Sequence, residues 1–446
     1  MRKAKRGNLQ RDVGAWSYCI WQIMARNEIH CRVADAVRSP QVFVFRLRLG
    51  DPGDLTRVLA LGEQLALTLS VPSVRVARHL GYVDLEIALP ATFHRSLPVK
   101  ALNRKGGTWV NLGQTATGTP VHVNLSGNRT CHALISGQTG SGKTVTEQLI
   151  AWTLATDNDP ASVNLLLIDG KGGTAWWGFE REAHLAHPII GDTNEAIAAL
   201  TWMVAELDKR KTNGQRRPAL FVVVDEVREL LDTGGETVAE SIRRIAGLGR
   251  ELGIHIILAT QHALADSLGG SIAKANLPLR LVGRVADAHA AYIATGVKGT
   301  SAETLQGNGD FLVVVGGESH MVQIALVGNR EIGRLPRSED TPRLDFGNYD
   351  PVRVLDVTSS PSPAKPIEDE PEAVAYALAT GCGTPALRAN YGPMGTKRAM
   401  RIRDFAEAIR AMLDNLGYTY PLPLTLLSAE TASRAREGGY LVSGRG

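Results

Sequence analysis

The chain has 446 residues, 44% of them hydrophobic and 21% charged, with a formal net charge of +4. This composition excludes wholesale disorder and describes a globular chain long enough for several domains of roughly 100–200 residues each. The mild basic excess permits a polyanionic partner without demanding one. Cys19, Cys31, Cys131 and Cys382 are far apart and form no C-x-x-C pair, so neither zinc nor a disulfide framework is suggested and a reducing compartment fits. No apolar run approaches the ~20 residues of a membrane span, and the basic start "MRKAKRGNLQR" is not followed by a signal-peptide core. A cytoplasmic location is therefore expected.

In chain order, "VFVFRLRLG" at 42–50 alternates apolar and polar residues and predicts a strand. "LTRVLALGEQLALTLSV" predicts a helix, and "VRVARH" and "VDLEIAL" two more strands, so residues 1–100 read as a small α/β unit with no chemical motif of its own.

"ALISGQTGSGKTVTEQLIAWTLA", residues 133–155, joins a short apolar strand through a glycine-rich turn to a helix. Gly137, Gly142, Lys143 and Thr144 satisfy G-x-x-x-x-G-K-[ST], with Gln138, Thr139, Gly140 and Ser141 as the intervening turn. Backbone N–H groups of such a turn curl around phosphates, the lysine reaches the β and γ oxygens, and the threonine hydroxyl ligates Mg²⁺. Val145, Leu149 and Trp152 fall on one helical face. ATP and Mg²⁺ are the expected cofactors.

"VNLLLID" (163–169), "ALFVVVDE" (219–226) and "IHIILATQ" (254–261) are continuous apolar runs, as strands buried on both faces of a parallel sheet require. Between them, Ile197, Leu200, Val204 and Leu207 keep to one helical face. Asp225 and Glu226 end the second run, where a P-loop fold needs one carboxylate for the metal and another for the attacking water. Gln261 could place a polar group near the γ-phosphate; an ordinary polar strand end fits the same residue. Asp169 and Lys171 end another strand on the ligand side of such sheets, and the neighbouring Trp176 and Trp177 read as packing beneath the sheet.

Taken in order, these segments resemble the FtsK/SpoIIIE family of double-stranded DNA translocases over roughly residues 20–330. The counterparts of its motifs read "GQTGSGKT", "IDGK", "LDKRK", "VDEVREL", "GIHIILATQHA", "IAKANLPLRLVG" and "GNGDFL". The resemblance implies a RecA-like P-loop NTPase of the additional-strand catalytic glutamate type, with the α/β unit as a first motor subdomain. It also implies homo-hexameric rings that thread duplex DNA, each site completed by an arginine from a neighbour, for which Arg250 and Arg280 are the candidates. Either arginine read alone is equally well a helix-surface charge or a strand-end contact. Where the family reads "SSKIDSRTIL" this chain has "ADAHAAYIAT", which puts Tyr292 in place of an arginine, and a long insertion of the cell-division members between "LDKRK" and "ALFVVVDE" is missing.

The motor is thus expected over 101–335, with a Pro-, Ser- and acid-rich linker at 336–373. Residues 374–446 predict a small helical domain in which Lys397, Arg398, Arg401 and Arg403 gather near one helix start. A winged helix-turn-helix that reads DNA and a small helical interaction domain both fit that region. Three functions remain open: a duplex translocase of a mobile element, recruited by a membrane-bound transfer partner; a single-stranded-DNA coupling protein of conjugation; and an ATP-regulated DNA-binding switch.

Overall fold

The structure, a computed structural model, describes residues 9–79, 81–170, 175–261 and 276–346. Lys171, Cys382, most of the predicted linker and the predicted C-terminal helical domain lie outside the described residues.

The N-terminal unit runs α1 (Leu9–Arg26), β1 (Cys31–Arg38), β2 (Val42–Leu49), α2 (Leu55–Ala60), α3 (Gly62–Leu69), β3 (Val74–His79) and β4 (Tyr82–Ala88). Its strands pair antiparallel in the order β1-β2-β4-β3. Alternate residues point to one face of a strand, and Phe43, Phe45, Leu47, Leu85 and Ile87 accordingly pack on Ile20, Met24 and Leu65 of the helices. The single helix expected over 55–71 is two, broken at Leu61. The close approach of β3 explains the glycine that follows, since a Cβ on Gly62 would stand 3.0 Å from the Val74 carbonyl.

The motor contains β5 (Leu97–Pro98), β6 (Trp109–Gln114), β7 (Pro120–Asn124), β8 (Ala133–Ser136), α4 (Lys143–Asp157), β9 (Val163–Asp169), α5 (Thr193–Asn213), β10 (Ala219–Asp225), α6 (Val227–Leu252) and β11 (Ile254–Thr260). After these come β12 (Leu279–Val282), α7 (Ala288–Thr295), β13 (Asp310–Val315), β14 (Glu318–Leu326) and α8 (Asn329–Ile332). The strand order is β7-β6-β14-β13-β12-β8-β11-β10-β9. Strands β12, β8, β11, β10 and β9 are parallel, and the apolar runs predict β9, β10 and β11 among them. From β12 outward the sheet turns antiparallel, so it is mixed rather than wholly parallel. The cause is local: Gly316 and Gly317, with φ of 60° and 88°, form a two-residue hairpin turn that returns β14 directly along β13.

Alternate residues of the parallel strands feed two cores. Leu166, Val222 and Leu258 pack with Ile197, Leu200 and Ile242 of α5 and α6, while Leu165, Val223 and Ile257 pack with Leu149 and Leu154 of α4. Trp176 is fully buried in the second core, edge-on to Phe179 at 5.7 Å. Trp177, expected to pack as well, is 64% exposed because it follows its neighbour on a turn that can bury only one of the two rings. The first residues of the predicted linker lie along the motor: Ser338 N–H donates to Arg181 O at 3.0 Å, and the Phe346 ring sits 4.6 Å from that of His187.

A short loop, residues 306–310, bonds to both parts of the molecule. Asn308 N–H and Gly309 N–H donate to Gly140 O and Ser141 O of the P-loop at 2.9 and 2.8 Å. On its other side, Gln306 Nε2 donates to Ser73 Oγ, and Asp310 Oδ2 accepts from Arg75 Nη1 at 2.8 Å. Arg75 Nη2 also donates to Glu86 Oε2 at 2.9 Å, so three buried charges tie β3 and β4 to β13.

Candidate nucleotide site

The site forms where β8, β10 and β11 end. Between β8 and α4 the chain must double back closely, and the glycines permit it: Gly142 has φ 108°, and a Cβ there would stand 2.9 Å from Gly309 N. Gly137 has φ 153°, and a Cβ on it would meet Ser141 Oγ at 2.7 Å. Lys143, the first residue of α4 and 7% exposed, donates from Nζ across the turn to Gly137 O at 2.8 Å. No side chain caps this helix, because its N-cap is Gly142. Its first-turn N–H groups therefore suit an anionic ligand.

Strand β11 lies between β8 and β10, the inserted position that defines the additional-strand class. Its end brings Gln261 over the turn, where Thr139 Oγ1 donates to Gln261 Oε1 at 2.9 Å and Gln261 N–H donates to Glu226 Oε1 at 3.3 Å. Asp225 ends β10 beside Asp169 of β9, with which it is in register. Glu226, 6% exposed, holds a left-handed backbone with φ 53°, a conformation that costs a non-glycine residue about 1 kcal/mol or more. The turn redirects its carboxylate back toward β11.

One cavity of about 730 Å³ gathers Gln138, Thr139, Gly140, Gly142, Lys143 and Thr144 with Asp169, Asp225 and Gln261, a size in the usual range for small-molecule sites. Gly137 and Ser141 support the turn from behind, the Ser141 hydroxyl being buried and unpartnered. The donor set fits ATP with Mg²⁺: a lysine and an uncapped helix start for phosphates, a hydroxyl and a carboxylate for a hard cation. This is the constellation of a P-loop NTPase.

Glu147, one turn into α4, was not legible in sequence because α4 looks one-sided there, whereas the helix is buried nearly all round. Glu147 is fully buried and neither carboxyl oxygen has a hydrogen-bond partner. Burial first, then the charge of Asp225, push its carboxyl well above the ordinary range, against an opposing pull from Lys143. The folded chain thus keeps this proton where the unfolded chain has lost it, and stability falls as pH rises above the ordinary glutamate range. Glu147→Gln keeps the shape and removes the titration. It is expected to raise the Tm of the nucleotide-free protein, by more at pH 8 than at pH 5; thermal melts giving equal differences at both pH values would contradict this.

The two arginine candidates stand away from this cavity. Arg250 lies in the last turn of α6, half-exposed, and its charge acts on Cys131 and His132, which precede β8. The four residues of β8 place about 13 Å between that end and the P-loop of the same chain. Arg280, on β12 and 6% exposed, donates to Ile293 O and Ala294 O at the end of α7. Tyr292 is partly exposed on the same helix. Lys397, Arg398, Arg401 and Arg403 lie outside the described residues.

Residues 98–213 and 209–264 match the model of the FtsK/SpoIIIE family. Among similar proteins, DNA translocase SftA of Bacillus subtilis (strain 168) is 28% identical over 417 residues, covering 85% of this chain and 42% of that protein. DNA translocase FtsK of Helicobacter pylori (strain J99) is 31% identical over 321 residues, covering 65% of this chain and 37% of that protein. The chain spans about two fifths of the length of these curated relatives. A solved structure, the pCW3 conjugation coupling protein TcpA in its monomer form with ATPgS, is 20% identical with a TM-score of 0.48, covering 78% of this chain and all of that one. No helix among the described residues is long and apolar enough to cross a membrane.

Proposed function

We propose that this chain hydrolyses ATP to drive duplex DNA through a homo-hexameric ring, serving DNA transfer by a mobile element. The observation that carries the reading is the convergence of Lys143, Thr144, Asp225 and Gln261 on one cavity, with Glu226 bonded at its rim, in a motor segment that matches the FtsK/SpoIIIE model. ATP with Mg²⁺, when bound, supplies the phosphoanhydride to be cleaved. Lys143 holds the β and γ oxygens, and Thr144 and Asp225 hold the cation. Glu226 takes the proton of the attacking water, its carboxylate fixed by the Gln261 N–H. Gln261, bonded to Thr139, connects the phosphate end to β11. Arg250 is proposed to serve the site of a neighbouring subunit. Arg280 could do so only by leaving its α7 carbonyls.

The test is ATP hydrolysis by the purified chain alone, with long linear duplex DNA, and with single strands, over a range of salt. Duplex DNA is expected to stimulate most, with stimulation falling steeply as salt rises, because contact with the backbone is electrostatic. Stronger stimulation by single strands would favour the coupling-protein reading. No stimulation, with nucleotide-dependent retention at one DNA sequence, would favour the switch.

A further inference from the structure

Loop 306–310 joins a side chain of the N-terminal unit to the phosphate end of the cavity. Gln41, in the turn between β1 and β2, is 3% exposed, and its own carbonyl accepts from Leu89 N–H at 2.9 Å. Its Nε2 donates to Asn308 O at 2.6 Å, and Gln323 Nε2 of β14 donates to the same oxygen at 3.2 Å. The N–H of that same peptide group belongs to Gly309, and it donates to Ser141 O at 2.8 Å. Ser141 O in turn shares its peptide group with the N–H of Gly142.

A trans peptide group points its C=O and its N–H in opposite directions, and both of these groups are trans. The bonds therefore run in series from the Gln41 amide through peptide 308–309 and peptide 141–142 to the Gly142 N–H. Gly142 is the N-cap of α4, so no carbonyl of the helix reaches that N–H, and the residue lines the cavity beside Lys143 and Thr144. The neighbouring bond from Asn308 N–H leads nowhere comparable. Its acceptor, Gly140 O, shares a peptide group with Ser141 N–H, which donates back into the turn to Gln138 O at 3.1 Å.

Two physical effects pass along the series. Hydrogen bonds in a chain polarise one another, so a donor at one end strengthens the donor at the other. The second effect is orientation. Gly307, Asn308 and Gly309 have φ of 74°, 50° and 87°, three successive left-handed residues with no helix or strand ladder to hold them, so the bonds to Asn308 O decide where the Gly309 N–H points.

Resting on the nucleotide-site reading above, we propose that Gln41 is a positioning residue for phosphate binding, which orients and polarises the Gly142 N–H through peptide groups 308–309 and 141–142. The N-terminal unit, whose own sequence carries no chemical motif, thereby sets the donor strength of the P-loop.

Equilibrium binding of ATP with Mg²⁺, and steady-state hydrolysis with linear duplex DNA, test this in the full chain. Gln41→Met keeps the length of the side chain and removes the donor. The dissociation constant and the KM for ATP are expected to rise about three- to tenfold, the worth of one hydrogen bond. The kcat should stay within about twofold, because ground and transition states lose the same contact. Ile20→Val, a core change in α1 of the same unit and outside the series, is the control: it should lower the Tm and leave ATP binding unchanged. ATP binding by Gln41→Met within about twofold of the unaltered chain overturns the proposal. So does an equal loss of affinity in Gln41→Met and Ile20→Val, or a loss confined to kcat, either of which leaves the nucleotide site standing. Failure of the unaltered chain to bind ATP overturns the nucleotide site itself and this proposal with it.

Discussion

Replacing Glu226 by glutamine is expected to lower DNA-stimulated ATP hydrolysis by about 10²–10⁴-fold, the usual worth of a positioned general base, while ATP still binds. The amide oxygen can keep accepting the Gln261 N–H, so the left-handed turn at residue 226 and the end of β11 hold their places. Lys143, Thr144 and Asp225 are untouched, and the phosphate and metal contacts assigned to them persist. What disappears is the basicity: a neutral amide cannot take a proton from water. Steady-state hydrolysis with linear duplex DNA, read beside binding of a fluorescent ATP analogue, checks both halves. A rate loss below about tenfold would remove Glu226 from the role of base. Equal loss of binding and hydrolysis would make it a structural residue.

Arg75→Met is expected to destabilise the protein by about 3–5 kcal/mol, the typical cost of removing one partner from a buried ion group. The methionine fills much of the volume but leaves Glu86 and Asp310 with no cation in a site where their side chains are 6% and 8% exposed. Burial already pushes the Glu86 carboxyl up despite Arg75 beside it, and the charge of Asp310 adds to this. Without the arginine the Glu86 carboxyl rises further, so folding then favours its protonated form. A folded-state pKa above the unfolded value means stability is regained as pH falls, and the difference from the unaltered protein should be smaller at pH 5 than at pH 7.5. Thermal melts at the two pH values decide it. A difference independent of pH would show that Arg75 contributes through packing alone.

The phosphate end of the site is legible in sequence because its chemistry is local. Lys143 and Thr144 are fixed by a six-residue turn, and Asp225 and Glu226 terminate an apolar run that can only be a buried strand. The parallel half of the sheet is legible for the same reason. The antiparallel half is not, since β6, β7 and β14 are short or mixed in pattern and their pairing depends on the Gly316–Gly317 turn. Helix α1 escapes notice because its apolar residues follow a strongly basic start, and β1 because it is an edge strand with most residues partly or fully exposed. The side of the cavity lined by Gln41 is harder still. Gln41 meets Asn308 across 267 positions of chain, and neither residue belongs to a recognisable spacing. Arg280 shows the converse: a residue that suits an interface by motif is buried against helix carbonyls in its own chain.

Surface loops ordinarily tolerate insertions, because little depends on their length. The segment 306–310 has no such latitude. Two consecutive N–H groups match two consecutive P-loop carbonyls, and the very next residue matches Arg75. One added residue would take Asp310 out of reach or pull the N–H pair off Gly140 and Ser141, so the loop works as a spacer of fixed gauge. Among related chains its length should vary less than its side chains, with Asp310 and the two glycines around Asn308 under the tightest restraint.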